Sequence, residues 1–417
     1  MIADVLIKKA SELVTARRAT GGPKTKADMQ DLGVIKNGAV AIRGRKIVAV
    51  GQTDEVAAAV ERATTVIEAT GKIVLPGFVD CHTHLVFGGS REDEFVQKIE
   101  GRSYLEIMRS GGGILSTVEK TREALASPQI LVNRAQAFLG RMLALGTTTV
   151  EIKSGYGLAM ESELGLLKII AGLKESQSVD IVPTFLGAHA FPREYKDRKA
   201  DYVQLVLDML EPVKTAGLAE YCDVFVEQGA FSVPEARIIL GEARKQGLKL
   251  KLHAGEFNDI GGVELGAELG ATSIDHLDHV SQRGMELMAA KNTIGVLLPG
   301  VPFHLMTGRY ASTRKLIEAG VPVALATDFN PGSCPTLSMQ MIIALACRQL
   351  KITPAEAINA ATINAASALD RGDKIGSIEV GKQADIIVLD IPRHEQLPYW
   401  FGSNLVTTVI KNGLVIE

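Results

Sequence analysis

The chain has 417 residues, 46% of them hydrophobic, with a formal net charge of −3. That is more than one ordinary core holds, and points to a large α/β unit with a smaller attached domain. The near-neutral balance, with no basic stripe, gives no reason to expect nucleic acid or an anionic membrane surface as a partner.

The first ten residues hold no long apolar segment, so no secretory leader is expected, and no stretch is apolar enough to span a bilayer. Residues 1–75 read as short strands with tight turns. Ala39-Val40-Ala41-Ile42 and Lys46-Ile47-Val48-Ala49-Val50 flank Arg43-Gly44-Arg45, a hairpin signal. Val66-Ile67-Glu68 and Ile73-Val74-Leu75 follow. From there strand and helix signals alternate, which argues for parallel βα units. The strands are expected at residues 77–81, 147–152, 180–186, 222–227, 249–253, 272–276, 293–298 and 321–327. Eight such units suggest a (β/α)8 TIM-type barrel, with its active site at the C-terminal strand ends. Thr353-Pro354-Ala355-Glu356 reads as a helix start, with an N-cap Thr, Pro at the first helical position and Glu three residues on. Residues 376–381, 384–390 and 406–416 read again as strands. The two chain ends are therefore expected to meet in a small β-sandwich of residues 1–75 plus 372–417, with the barrel, 76–371, inserted between them. Cys81, Cys222, Cys334 and Cys347 show no pairing pattern, which fits a reducing cytoplasm.

Polar residues recur at the ends of these strands. His82 and His84 close the first, and at i and i+2 they share one face, a ready chelate for Zn²⁺ or Fe²⁺. The second is followed by Lys153-Ser154-Gly155-Tyr156, and the third runs into His189. The fifth ends in His253-Ala254-Gly255-Glu256, and the sixth in Asp275-His276-Leu277-Asp278-His279. The eighth ends in Thr327-Asp328-Phe329-Asn330-Pro331-Gly332-Ser333. Each also has a plainer reading: His253 as a core histidine, Asp328 as a helix N-cap, Tyr156 and Tyr104 as packing residues. By parity Asp328 shares a face with Ala324 and Ala326. Of the sixth-strand pair, His276 is taken as inward and His279 as structural. His304 and His394 read as structural or surface.

The histidine pair after Leu75-Pro76-Gly77-Phe78-Val79-Asp80, together with His253 and Asp328, resembles the amidohydrolase superfamily. Phe87-Gly88-Gly89-Ser90-Arg91, Gly111-Gly112-Gly113-Ile114, Ser154-Gly155-Tyr156-Gly157 and Asn330-Pro331-Gly332-Ser333 narrow the resemblance further. It implies a hydrolase that opens the ring of 4-imidazolone-5-propanoate to N-formimidoyl-L-glutamate in histidine degradation. It implies one Zn²⁺ or Fe ion per subunit, held by His82, His84, His253 and Asp328. It also implies substrate contacts from Arg91, Tyr156, His189, Glu256, Asn330, Gly332 and Ser333.

Elementary chemistry agrees. Ring-amide hydrolysis at neutral pH needs an activated water, and the tetrahedral intermediate needs a cation or donor beside its oxyanion. The catalytic set is expected to be Glu256, His276 and Asp328. Glu256, three residues past His253, needs Gly255 to bend the chain back, and would shuttle the proton. His276 would polarise the water or oxyanion, and Arg91's fork suits the propionate. If His253 faces inward, so do Lys251 and Lys249; these and Lys153 would pair with Glu151, Asp223 and Glu227 in a polar lower layer. Three alternatives stay open: a deaminase of a heterocyclic amine, a metal-free scaffold, and a two-metal site using Glu227. The partner is a small molecule, and a homodimer is compatible with the sequence.

Overall fold

The computed structural model describes residues 1–18, 21–102, 106 and 111–416; Tyr104 lies outside the described residues. The chain opens on β1 (Ile2–Val14), a 13-residue strand that serves as the hub of the first sheet. β2 (Val34–Arg43) and β3 (Lys46–Gln52) form the expected hairpin, turning at Gly44 with φ +56°. β4 (Arg62–Glu68) and β5 (Ile73–Pro76) both run parallel to β1. They pair with different halves of it, either side of a bulge where Lys9 takes a left-handed φ of 58°.

The barrel strands follow: β6 (Phe78–Asp80), β7 (Thr147–Lys153), β8 (Asp180–Ala188), β9 (Tyr221–Val226), β10 (Lys249–Ala254), β11 (Ser273–His276), β12 (Ile294–Leu297) and β13 (Val323–Leu325). All are parallel and ordered as in the chain. β14 (Ile386–Leu389), β15 (Val406–Lys411) and β16 (Leu414–Ile416) return to the first sheet, whose order is β16-β15-β14-β5-β1-β2-β3, with β4 on β1. The expected sandwich is this one mixed sheet, with Val5, Ile7, Val40, Ile42, Ile47, Ile386 and Ile410 in a shared core. The β15–β16 turn carries Asn412 and Gly413, both at positive φ, which suits a two-residue hairpin.

Residues 376–381 are not a strand. Gly376 and Gly381 sit at φ +81° and +91°, outside the extended region, and the segment forms turns. Helix Pro354–Ala361 begins on the expected capping box, Thr353 Oγ1 accepting from Glu356 N–H.

The two sheets meet through β5 and β14, which pair with each other. Alternation sends their side chains both ways: Ile73, Leu75, Ile387 and Leu389 join the barrel's apolar core, whereas Val74, Ile386 and Val388 enter the small sheet's core. Lys411, fully buried, bonds Asp180 at the start of β8 and Asp385, both at 2.7 Å. Met29, in the short 3-10 turn Lys26–Gln30, is also tied to the barrel: its carbonyl accepts from Asn359 Nδ2 at 2.9 Å.

The barrel seam is made differently from the other joints. β13 and β6 share no ladder. Beyond them, Asp328 N–H donates to the His82 carbonyl at 3.0 Å and His84 N–H to the Phe329 carbonyl at 2.9 Å. Asp80 fastens the same seam from below, accepting from Thr327 N–H at 3.0 Å and Thr327 Oγ1 at 2.6 Å. Among the described residues no helix is long and apolar enough to cross a membrane.

Candidate active site at the strand ends

His82, His84, His253, His276 and Asp328 converge over the C-terminal mouth of the barrel, each at most 3% exposed. His82 Nε2 and His84 Nε2 each lie 3.3 Å from Asp328 Oδ1, and His253 Nε2 lies 3.4 Å from His84 Nε2. His82 Nε2 and Asp328 Oδ1 are buried without a hydrogen-bond partner. Ligands on one tetrahedral zinc at about 2.0–2.1 Å stand about 3.3–3.4 Å apart, so this spacing fits a single ion. Three overlapping groups of buried donors could hold a metal here: His82, His253 and His276; His84, His189 and His253; and His82, His84 and Asp328.

Each innermost histidine is fixed from behind. His82 Nδ1 bonds Asp275 Oδ2 at 2.6 Å, and His253 Nδ1 bonds Asp223 Oδ1 at 3.0 Å. Because a carboxylate only accepts, His253 carries its proton on Nδ1 and turns the Nε2 lone pair to the pocket. Burial holds His84 and His253 below the usual imidazole range, so both stay neutral. His82 differs. Against burial and the Lys153 charge, the carboxylates of Asp275 and Asp328 hold it up at about 9.

Parity does not deliver Asp328. β13 stops at Leu325, and Asp328 sits at φ +53°, so a left-handed residue swings the carboxylate over the histidines. His276 and Leu277 are also left-handed, at +81° and +63°. Strain of this kind gathers where function fixes a side chain. Nor is Asp328 a helix cap: Ser333 Oγ donates to its Oδ2 at 3.3 Å and braces it.

Gly255 does bend the chain, at φ +70°, and a Cβ there would meet the His279 carbonyl oxygen at 2.1 Å. Glu256 is thereby returned to the pocket, its Oε2 3.7 Å from His276 Nε2. Burial, with the Asp328, Asp278 and Glu227 carboxylates nearby, pushes Glu256 well above the usual carboxylate range. Burial also lowers His276 to about 4, leaving a neutral ring with both nitrogens unpartnered.

The other expected contacts line the same mouth. Tyr156 lies 5.8 Å from the His84 ring, and His189 stacks on His84 with centroids 4.8 Å apart. His189 Nδ1 donates to the Gly155 carbonyl at 3.0 Å, which leaves Nε2 an acceptor, and burial lowers the ring to about 3. Arg91 bonds Glu94 at 2.7 Å; this pair is about 10% exposed rather than a surface pair, and Arg91 Nε is buried without a partner. Gly332 lies directly against the guanidinium: a Cβ there would fall 1.8 Å from Arg91 Nη1.

Asn330 does not present a free amide. Its Oδ1 accepts from Gly332 and Ser333 N–H, both at 2.8 Å, and its Nδ2 donates to the Asp328 carbonyl and Ser333 Oγ, both at 2.7 Å. All four bonding positions are taken by its own loop, which it shapes.

Glu227 is likewise engaged, accepting from Gln228, Phe257 and Asn258 N–H and from Asn258 Nδ2 at 2.8–3.1 Å. It anchors the loop after β10 and leaves no oxygen for a second metal. Lys249 does not join the lower layer either; it lies at the barrel base, paired with Asp370 at 2.7 Å and 47% exposed. Lys251, Glu151, Lys153 and Asp223 do form that layer, all fully buried.

Glu163 and the loop-tying role of Glu94, a residue the sequence offers only as a surface partner of Arg91, went unforeseen. Glu163 accepts from the N–H groups of Gly155, Gly157 and Leu158 and so shapes the Tyr156 loop; Glu94 ties Arg91 to Gly113. The run of glycines each glutamate serves was the available signal.

A parallel barrel with histidines and an aspartate at its strand ends is the architecture of metal-dependent hydrolases, and the amidohydrolase family model matches residues 73–416. Among solved structures the chain resembles an adenosine deaminase from Xanthomonas campestris with bound zinc (TM-score 0.73, 20% identity, 99% of this chain and 92% of that one). It also resembles the guanine deaminase of E. coli (TM-score 0.72, 16% identity, 99% of each chain). At these identities the likeness is one of fold. Curated imidazolonepropionases are far nearer in sequence. That of Alkaliphilus oremlandii is 50% identical over 99% of this chain and 98% of its own length, and that of Fusobacterium nucleatum 49% over 100% and 99%. The chain belongs to the imidazolonepropionase family, within the amidohydrolases.

Proposed function

We propose that this pocket opens the imidazolone ring with one metal ion, Zn²⁺ or Fe, held by His82, His84, His253 and Asp328. The reaction hydrolyses the cyclic amide of 4-imidazolone-5-propanoate to N-formimidoyl-L-glutamate, a step of histidine degradation. The observation that carries the metal reading is the spacing of 3.3–3.4 Å among buried donor atoms, two of them without any other partner. A bound ion supplies the charge that brings a water's pKa down to about 7 and steadies the developing oxyanion.

The chain's own groups do the rest. Asp328 Oδ2 takes the proton as water adds to the ring carbonyl. His276, a neutral ring 3.7 Å from Glu256, polarises the water or the oxyanion. Glu256, kept protonated by burial, gives its proton to the leaving ring nitrogen as the C–N bond breaks. Arg91 receives the propionate on the N–H groups that Glu94 leaves open, and Gly332 lets the guanidinium sit there. His189 Nε2 and Tyr156 contact the ring, while Asn330 and Ser333 hold the loop that carries Asp328. In the same reading residues 1–75 with 372–417 form the small domain and 76–371 the barrel. Four free cysteines, three of them buried, accord with a cytoplasmic setting.

The test is an assay of purified, metal-analysed protein on 4-imidazolone-5-propanoate, with a heterocyclic amine as control. Chelation is expected to abolish turnover and one equivalent of metal to restore it. Full turnover without metal, or a requirement for two equivalents, refutes the single-ion reading.

A further inference from the structure

Beneath the proposed ligands lies a buried charge that the reaction does not use. Lys153, at the end of β7, is fully buried under the histidines. Its Nζ donates to Glu151 Oε1 at 3.0 Å and Asp223 Oδ2 at 2.8 Å, and stands at ion-pair distance, 3.6 Å, from Asp275 Oδ2. Asp223 and Asp275 are the two carboxylates that hold His253 and His82 by their Nδ1 atoms. One ammonium therefore hydrogen-bonds the carboxylate behind His253 and pairs electrostatically with the carboxylate behind His82, on separate strands, β10 and the end of β6. Its own backbone N–H also donates to the Thr83 carbonyl, between His82 and His84, at 2.9 Å.

We propose that Lys153 is the positioning residue of the metal site, a single brace that sets the aim of His82 and His253 together by fixing Asp275 and Asp223. The inference rests on the metal reading above and deepens it. Ser273 Oγ holds the other oxygen of Asp275 at 2.7 Å, but among the described residues Asp223 bonds only His253 and Lys153 through its side chain. Without Lys153, Asp223 keeps only its bond to His253, and the pair loses the contact that fixes its direction. Lys251 is the internal comparison. It is equally buried, carries the same charge and lies in the same layer, but it reaches Glu151 at 3.4 Å and the Cys81 carbonyl at 3.3 Å and contacts neither histidine-holding carboxylate.

The experiment measures Zn²⁺ affinity of chelator-stripped protein by competition with a chromophoric chelator. It adds the visible spectrum of Co²⁺-loaded protein, which reads ligand geometry rather than fold. Lys153→Met is expected to weaken Zn²⁺ binding by about 10- to 100-fold, as loss of an outer partner does, and to shift the Co²⁺ bands. Lys251→Met leaves both near wild type. The charge-compensated Lys153→Met/Glu151→Gln protein removes no net charge from the layer, and carries the test if the single variant does not fold. It keeps the weakened affinity. Equal losses in the Lys153 and Lys251 variants, recovery of affinity in the double variant, or failure of both Lys153 variants to fold overturns the proposal. Wild-type protein that binds no Zn²⁺ refutes the metal reading instead.

Discussion

Gly332→Ala tests the carboxylate clamp without touching Arg91 itself. The added methyl would stand 1.8 Å from Arg91 Nη1 and 2.5 Å from Cζ. Atoms in ordinary contact stay about 3.5 Å apart, so the guanidinium must retreat by roughly 1.7 Å. It can, because it is the far end of a long side chain, and the backbone survives. The retreat moves the fork off its seat against Glu94, which now holds Nη2 at 2.7 Å. A charge-assisted contact is worth about 1.5–3 kcal/mol. Losing it lowers kcat/KM on the propionate substrate by roughly 10- to 100-fold, with metal content unchanged. The assay compares wild type, Gly332→Ala, Arg91→Ala and Arg91→Lys on that substrate and on an imidazolone without the propionate arm. The penalties should largely vanish on the shorter substrate, and Arg91→Lys should recover only part, because an ammonium lacks the fork. In the Arg91→Ala background Gly332→Ala should add little. A Gly332→Ala penalty that persists in that background, or that is equal on both substrates, refutes the clamp.

Asp328→Asn keeps the shape but loses the negative charge: bound metal should drop and turnover nearly disappear, and normal metal content with normal turnover would remove Asp328 from the ligand set. Glu256→Gln should keep its metal while turnover falls by about 10²- to 10⁴-fold; loss of metal would make Glu256 a ligand or support of His253 instead. Asp278 is pushed by burial to about 8, so between about pH 4 and 8 the folded protein keeps a proton that the unfolded chain has released. This group therefore destabilises the fold increasingly as pH rises through that window. Asp278→Asn should raise Tm more at pH 8 than at pH 5, and a pH-independent difference would count against the assignment.

The strands and the inward histidines were legible because a buried parallel strand is a short apolar run, and a polar residue closing it stands out. His276, Gly255 and the Thr353 capping box follow from such local signals. Parity served less well where the backbone leaves the extended region, as at Asp328, or where a strand starts at the rim, as at Lys249. Residues 376–381 carry apolar alternation, but glycines at both ends bend them into turns. Asn330 and Glu227 show why residue type alone misleads: an amide or carboxylate beside a pocket is as readily taken up by its own loop. The partnerships of Asp275 with His82 and of Asp223 with His253 span 193 and 30 residues, and no local pattern announces them.

The seam of the barrel has a consequence for how the protein breathes. Seven joints between neighbouring strands are ladders, whereas the eighth is held by a few bonds around Thr327, Asp328 and Phe329. Local opening follows the weakest joint. In the proposed site an ion held by His82, His84 and Asp328 would span that joint, and at a free concentration 1,000 times its Kd it would stabilise the closed form by about 4 kcal/mol. Amide hydrogens of residues 326–330 would then exchange on a clock set by metal occupancy, while those of β8 to β11, inside continuous ladders, would keep the rate of global unfolding.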